Sequence, residues 1–194
     1  MGATVILTGA PGVGKSSIID ELAEQAEKER IKLRVVNFGT TMLKHLESDG
    51  KGLHRDQIRR QGPAVQRKIQ LEAAKEISRM RGDDVLVIDT HMFIKTPTGA
   101  LPGLPENILK ELEPSLLILI EAAPEDIARR RSGDGSRKRD QQTLEDVSSD
   151  LEWGRKTAAA CAVAAGIPVS IIRNEQGRQD EAARQILTMI KEVI

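Results

Sequence analysis

The chain is poor in aromatic side chains: it has no tyrosine, one tryptophan and two phenylalanines. Recognition of bases by rows of stacked rings is therefore not expected to be extensive. A single cysteine, Cys161, excludes an intrachain disulfide and any metal site built from several thiolates, and it fits a reducing compartment. Neither sign of charge is in excess, with 29 basic and 29 acidic residues. The basic surplus typical of nucleic-acid binders is missing, so no nucleic-acid partner is expected. No apolar run approaches the roughly 18 residues a membrane span needs, so no membrane partner is expected. An apolar strand starts by residue 4, leaving no room for a signal peptide, and a soluble, cytoplasmic protein is the expectation.

The chain contains an alternation of apolar strands and amphipathic helices. Strands are expected at 4–8, 33–37, 85–89, 116–120 and 168–172. Helices are expected after residue 15, over 40–48, from Pro63 to about Gly82, over 124–131 and 141–165, and from about 178 to 193. Residues 95–105 hold three prolines and two glycines and read as a loop. Strands linked by helical crossovers imply a doubly wound α/β/α fold with a five-stranded parallel sheet. The length suits one domain over 1–194, and no repeat or linker divides it.

Between the first strand and the helix after it lies Gly9-Ala10-Pro11-Gly12-Val13-Gly14-Lys15-Ser16, a full match to the phosphate-loop pattern G-x-x-x-x-G-K-[ST]. A polyphosphate needs many donors at short range. Glycines let backbone N–H groups approach it, and a helix N-terminus adds partial positive charge. Residues 9–17, ending at Ser17, are thus expected to bind the nucleotide phosphates. Lys15 reaches the β- and γ-phosphates, and the Ser16 hydroxyl ligates Mg²⁺. Asp89 closes a central strand and is expected to help hold Mg²⁺ directly or through water; capping a turn is the alternative. His91 orients a nucleotide or is a satisfied loop histidine.

Two further constellations stand out. Arg129, Arg130, Arg131, Arg137, Lys138 and Arg139 crowd the segment 129–140 around Gly133 and Gly135. Cations carried by a glycine-hinged flap would stabilise a migrating phosphoryl group and exclude water. The alternative is a solvated charge run. After the second strand, the segments Thr40-Thr41-Met42-Leu43-Lys44 and Arg55-Asp56-Gln57-Ile58-Arg59-Arg60-Gln61 offer cations and amides to a second phosphate-bearing substrate, and Gln66 and Gln70 are candidates for the same cleft. An amphipathic helix with a wet face is the other reading.

With these residues assembled, the chain resembles the archaeal-type adenylate kinases over nearly its whole length. The resemblance rests on the Gly9–Ser17 loop, Asn37-Phe38-Gly39-Thr40-Thr41-Met42, Arg55-Asp56-x-x-Arg59 and Ile88-Asp89-Thr90-His91. The run Ile94-Lys95-Thr96-Pro97-Thr98-Gly99-Ala100-Leu101-Pro102-Gly103-Leu104-Pro105 is its most specific part, and Asn174-Glu175-Gln176-Gly177 agrees. The resemblance implies reversible, Mg²⁺-dependent transfer from ATP to AMP giving two ADP. It places Arg137 and Arg139 in a short lid over about 129–140, and an acceptor site within about 38–70 that includes Gly39, Thr40, Lys44, Arg59 and Gln66. It also implies a homotrimer. The zinc-bearing lid insertion of some bacterial enzymes is absent, so no zinc is expected. Lys44 stands where the broader pattern has an arginine, and keeps the charge without the bidentate fork. Asp89-Thr90-His91 replaces Asp-Gly-Phe-Pro-Arg, so another cation, Arg59 in our reading, must serve.

Other readings are a phosphate-loop kinase acting on CMP, UMP, shikimate or a similar acceptor, and an RNA- or ribosome-associated ATPase. A GTPase switch would need Asn-Lys-x-Asp and an Asp-x-x-Gly after the third strand, and the sequence has neither.

Overall fold

A computed structural model describes residues 2–47, 61–96, 99–133 and 143–194. Arg55, Arg59 and Arg60, with the expected break at Gly50 and Gly52, lie outside the described residues. So do Pro97 and Thr98, and Arg137, Lys138 and Arg139 of the expected lid.

Strand β1 (Thr4–Gly9) is buried along its full length. It is flanked by β3 (Val85–Thr90) and β6 (Leu116–Glu121), both parallel to it. The edges are β2 (Leu33–Asn37) and β7 (Val169–Arg173), giving the sheet order β2-β3-β1-β6-β7. Central strands with helices over both faces must be apolar on both sides. Val5, Leu7, Val87, Ile118 and Ile120 enter one core, while Ile6, Leu86, Ile88, Leu117 and Leu119 enter the other, as the two-residue period of a strand requires.

The first core is closed by α1 (Lys15–Lys28) and α7 (Gln179–Lys191), which supply Ile18, Leu22, Ala183 and Ile186. The second is closed by α2 (Phe38–Glu47), α3 (Pro63–Ser78) and α4 (Glu106–Leu112), with Phe38, Met42, Ile69, Ile77 and Ile108. Helix α5 (Pro124–Gly133) adds Ile127 to the first core. Helix α6 (Leu144–Ala165) serves both: Val147 and Leu151 lie in the first, Ala158 and Cys161 in the second.

Two elements correct the sequence reading. Residues 95–105 are not a plain loop. Most of them belong to an antiparallel hairpin, β4 (Phe93–Thr96) with β5 (Gly99–Pro102), and pairing runs from Phe93 with Pro102 to Thr96 with Gly99. Proline at the last position of an edge strand costs no ladder bond, which reconciles Pro102 with the pairing. Helix α4 follows directly, and its apolar face of Ile108, Leu109 and Leu112 is buried.

Candidate active site

The phosphate loop leaves the C-terminal end of β1, where a doubly wound sheet gathers its ligands. Gly14 is the N-cap of α1, with φ 90° and ψ 26°, and no side chain caps that end. The first-turn N–H groups of the helix are therefore left for a ligand. A Cβ on Gly14 would fall 2.4 Å from Asn174 Nδ2, so both conformation and space demand glycine. Ser16 and Ser17 are exposed on this first turn, whereas Lys15 is only 8% exposed. The Lys15 ammonium donates to Gly9 O at 3.0 Å and stands 3.9 Å from Asp89 Oδ1 and 3.4 Å from His91 Nδ1. His91 Nδ1 is 3.0 Å from the same Gly9 oxygen. His91 thus belongs to the lysine's surroundings.

Three consecutive loop carbonyls are gripped from behind. Arg131 Nε donates to Pro11 O at 2.8 Å, Arg130 Nη1 to Gly12 O at 3.3 Å, and Asn174 Nδ2 to Val13 O at 2.7 Å. A trans peptide points its N–H opposite to its C=O. Fixing these oxygens therefore turns the N–H groups of Gly12, Val13 and Gly14 the other way, and Val13 N closes a turn onto Ala10 O at 3.3 Å. Sequence reasoning assigned Arg129, Arg130 and Arg131 to a flap; they lie in the last turns of α5. Arg130 also donates to Gln176 Oε1 at 2.7 Å.

Asn174 leaves β7 with its N–H on Glu121 O at 2.7 Å, and Arg155 clamps the Glu121 carboxylate with two 2.6 Å bonds. Those bonds push the Arg155 pKa above its ordinary value. Ala123, Asp126, Arg173, Asn174, Glu175 and Gln176 line a cavity of about 290 Å³ beside the loop.

Asp89 is oriented by a residue the sequence reading used only as a family marker. Asn37 Nδ2 donates to Asp89 Oδ2 at 2.5 Å, while Asn37 Oδ1 accepts the N–H and hydroxyl of Thr40 at 3.0 and 3.2 Å, capping α2. Asp89 Oδ1 is buried and takes no hydrogen bond. A hard cation suits that oxygen together with the exposed Ser16 hydroxyl. Among the described residues no group of three or more His, Cys, Asp or Glu is arranged to hold a metal.

Of the residues expected to meet an acceptor, Gly39 and Thr40 lie in the first turn of α2 and Lys44 is exposed in its later part. Thr40 is engaged as part of the cap. Gln66 and Gln70 are each 1% exposed. Gln66 Nε2 donates to Gln61 O at 2.7 Å and Gln70 Nε2 to Pro102 O at 3.1 Å. The structure thus brings Lys15, Asp89 and the loop together, and it puts Gln66 and Gln70 in packed positions where their amides hold backbone.

A parallel sheet whose first strand delivers a phosphate loop, with a carboxylate on the neighbouring strand facing its lysine, defines a phosphate-loop nucleotide-binding protein. A family model described as an AAA domain matches residues 8–148. A shikimate kinase from Acinetobacter baumannii, solved with shikimate, shares the fold at TM-score 0.64 and 17% identity, over 99% of this chain and 94% of its own. One from Aquifex aeolicus gives 0.58 at 19% identity, over 97% and 96%. Closer in sequence are adenylate kinases. That of Thermoplasma acidophilum is 42% identical over 95% of this chain and 97% of its own length. That of Methanocaldococcus jannaschii is 38% identical over 96% and 97%. The chain belongs to the adenylate kinase family, and so is a nucleoside monophosphate kinase.

Proposed function

We propose that the chain transfers the γ-phosphoryl group of ATP to AMP, reversibly and with Mg²⁺, giving two ADP. The observation that carries this reading is the uncapped start of α1, with its loop carbonyls turned away and Lys15 lodged between Gly9 O and Asp89. Family membership selects the substrates: the curated relatives are named adenylate kinases.

The work of the protein is positioning and charge stabilisation. Backbone N–H groups within residues 9–17, those of Gly12, Gly14 and the first turn of α1 among them, wrap the β- and γ-phosphates, and Lys15 follows the migrating group. Arg137 and Arg139 are assigned to the lid that closes over it. Gly39, Thr40, Lys44, Arg59 and Gln66 are assigned to the acceptor side. An AMP phosphate oxygen attacks the γ-phosphorus in line and ADP leaves. No side chain becomes a nucleophile. Ser16 and Asp89 would hold Mg²⁺, which supplies neutralising charge to the phosphates. The cavity over Asn174 and Gln176 takes the base of the donor.

We also assign a homotrimer and a cytoplasmic location. Trp153 and Val163 on α6 and Val169 and Ile171 on edge strand β7 are exposed, an apolar surface suited to a partner copy. Among the described residues no helix is long and apolar enough to cross a membrane.

Phosphorus NMR of the purified protein with Mg·ATP and AMP tests the reaction. Loss of both substrates in equal amounts with growth of ADP is expected. Unchanged AMP, with CMP, UMP or shikimate phosphorylated instead, would overturn the acceptor assignment.

A further inference from the structure

One buried carboxylate near the loop has no part in the chemistry above. Asp150 on α6 has a side chain 8% exposed, and both its oxygens are engaged. Lys95 Nζ of the hairpin stands 2.5 Å from Oδ1, and Arg131 Nη1 stands 3.4 Å from Oδ2. Arg131 is itself 7% exposed, and through Nε it holds Pro11 O. Its stem is pressed against the loop: a Cβ on Gly12 would lie 3.1 Å from Arg131 Cγ. The other strand of the hairpin is tied to α3 through Gln70 and Pro102.

We propose that Asp150 is a positioning residue for the ATP-binding loop, acting through Arg131. A guanidinium this far from water needs a counter-charge to stay there. Asp150 supplies it and aligns the planar fork, so Nε meets the Pro11 carbonyl. The Pro11–Gly12 peptide is then fixed, and with it the direction of the Gly12 N–H toward the phosphates. Lys95 completes the ion cluster and makes the hairpin part of the loop's scaffold. The proposal rests on residues 9–17 being the ATP site.

The test compares wild type with Asp150→Ala, Asp150→Asn and Arg131→Lys, by equilibrium binding of a fluorescent ATP analogue and by steady-state kinetics. Asp150→Ala should weaken analogue binding and raise the ATP KM about tenfold, equivalent to about 1.4 kcal/mol. The AMP KM should change less than about twofold, since a loop misaligned only on the donor side leaves acceptor contacts in place. Asp150→Asn keeps an oxygen for the guanidinium and should restore part of the loss. Arg131→Lys keeps the charge facing Asp150 but lacks Nε geometry, and should match Asp150→Ala. Unchanged analogue affinity in folded Asp150→Ala, or equal rises in both KM values, would overturn the proposal. If Asp150→Ala does not fold, Asp150→Asn and Arg131→Lys decide it by the same criterion. A wild type that binds the analogue yet leaves AMP untouched refutes the acceptor reading and leaves the affinity comparison valid. A wild type that does not bind the analogue refutes both.

Discussion

Lys15, bonded to Gly9 O and facing Asp89, is the residue on which the assigned phosphate site turns. Gly9 to Ser16 is a contiguous word whose spacing carries its own physical reason. Asn37, Arg131 and Asn174 act across many positions, and no local pattern marks a side chain that grips a distant carbonyl. Lys15 is where charge stabilisation concentrates, so Lys15→Met should lower kcat by at least about 10²-fold, the order seen when one preorganised donor is removed from a developing charge. The substitution conserves volume at a buried site, so the melting temperature should stay within a few degrees of wild type. Normal turnover of ATP and AMP by that variant would show the loop assignment to be wrong. Cys161 makes the opposite case. Its thiol donates toward Leu104 O in the second core, and burial pushes its pKa up. Little thiolate is then available to attack. The native protein should leave a thiol reagent such as Ellman's unreacted at pH 8, and guanidinium should release one thiol per chain.

At the scale of elements, strands β1, β3 and β6 were evident because buried parallel strands read as unbroken apolar runs. The hairpin β4–β5 was missed because Pro97, Pro102, Gly99 and Gly103 read as loop signals, and the four residues Phe93–Thr96 show no alternation to set against them. Helix α4 is two turns long, too short for its period to be distinctive beside Pro102 and Pro105. Helix α6 starts on a reciprocal capping box. The Thr143 N–H and hydroxyl each donate to Asp146 Oδ2 at 2.9 Å, and Asp146 N–H donates back to Thr143 Oγ1 at 3.1 Å. The bonds from the Thr143 backbone and hydroxyl hold the Asp146 pKa below its usual 3.8. A folded pKa below the unfolded one stabilises the fold above the unfolded value, and that contribution is lost as pH falls through the folded value. Thr143→Ala should lower the melting temperature by about 2–4 °C at neutral pH. The gap between wild type and Asp146→Ala should stay constant down to about pH 5 and narrow once pH drops below 3.8. A gap independent of pH through that range would mean that Asp146 caps nothing.

At the scale of the whole molecule, helix α6 ties the layers together. Its N-terminal half closes the core that lies behind the phosphate loop, and its C-terminal half closes the core that carries α2 and α3. The small residues Gly154, Ala158 and Ala162 are buried and let the helix pass close to the sheet, while Val163 is left 84% exposed. A valine so fully in solvent contributes nothing to the fold of one copy, yet it lies on the helix that also presents Trp153, next to an edge strand with Ile171 outward. Edge strands with apolar faces are liabilities unless something covers them. In the trimer assigned above, an interface along α6 and β7 would cover Val163, Trp153 and Ile171. Val163→Asp introduces a charge that no interface core tolerates unpaired, while a monomer would not notice it. Light scattering should give a mass of about three chains of 21.3 kDa for wild type and one chain for the variant. Chain-level secondary structure by circular dichroism should be unchanged. A wild type that runs as a single chain, or a Val163→Asp variant that remains trimeric, would place the partner surface elsewhere or nowhere.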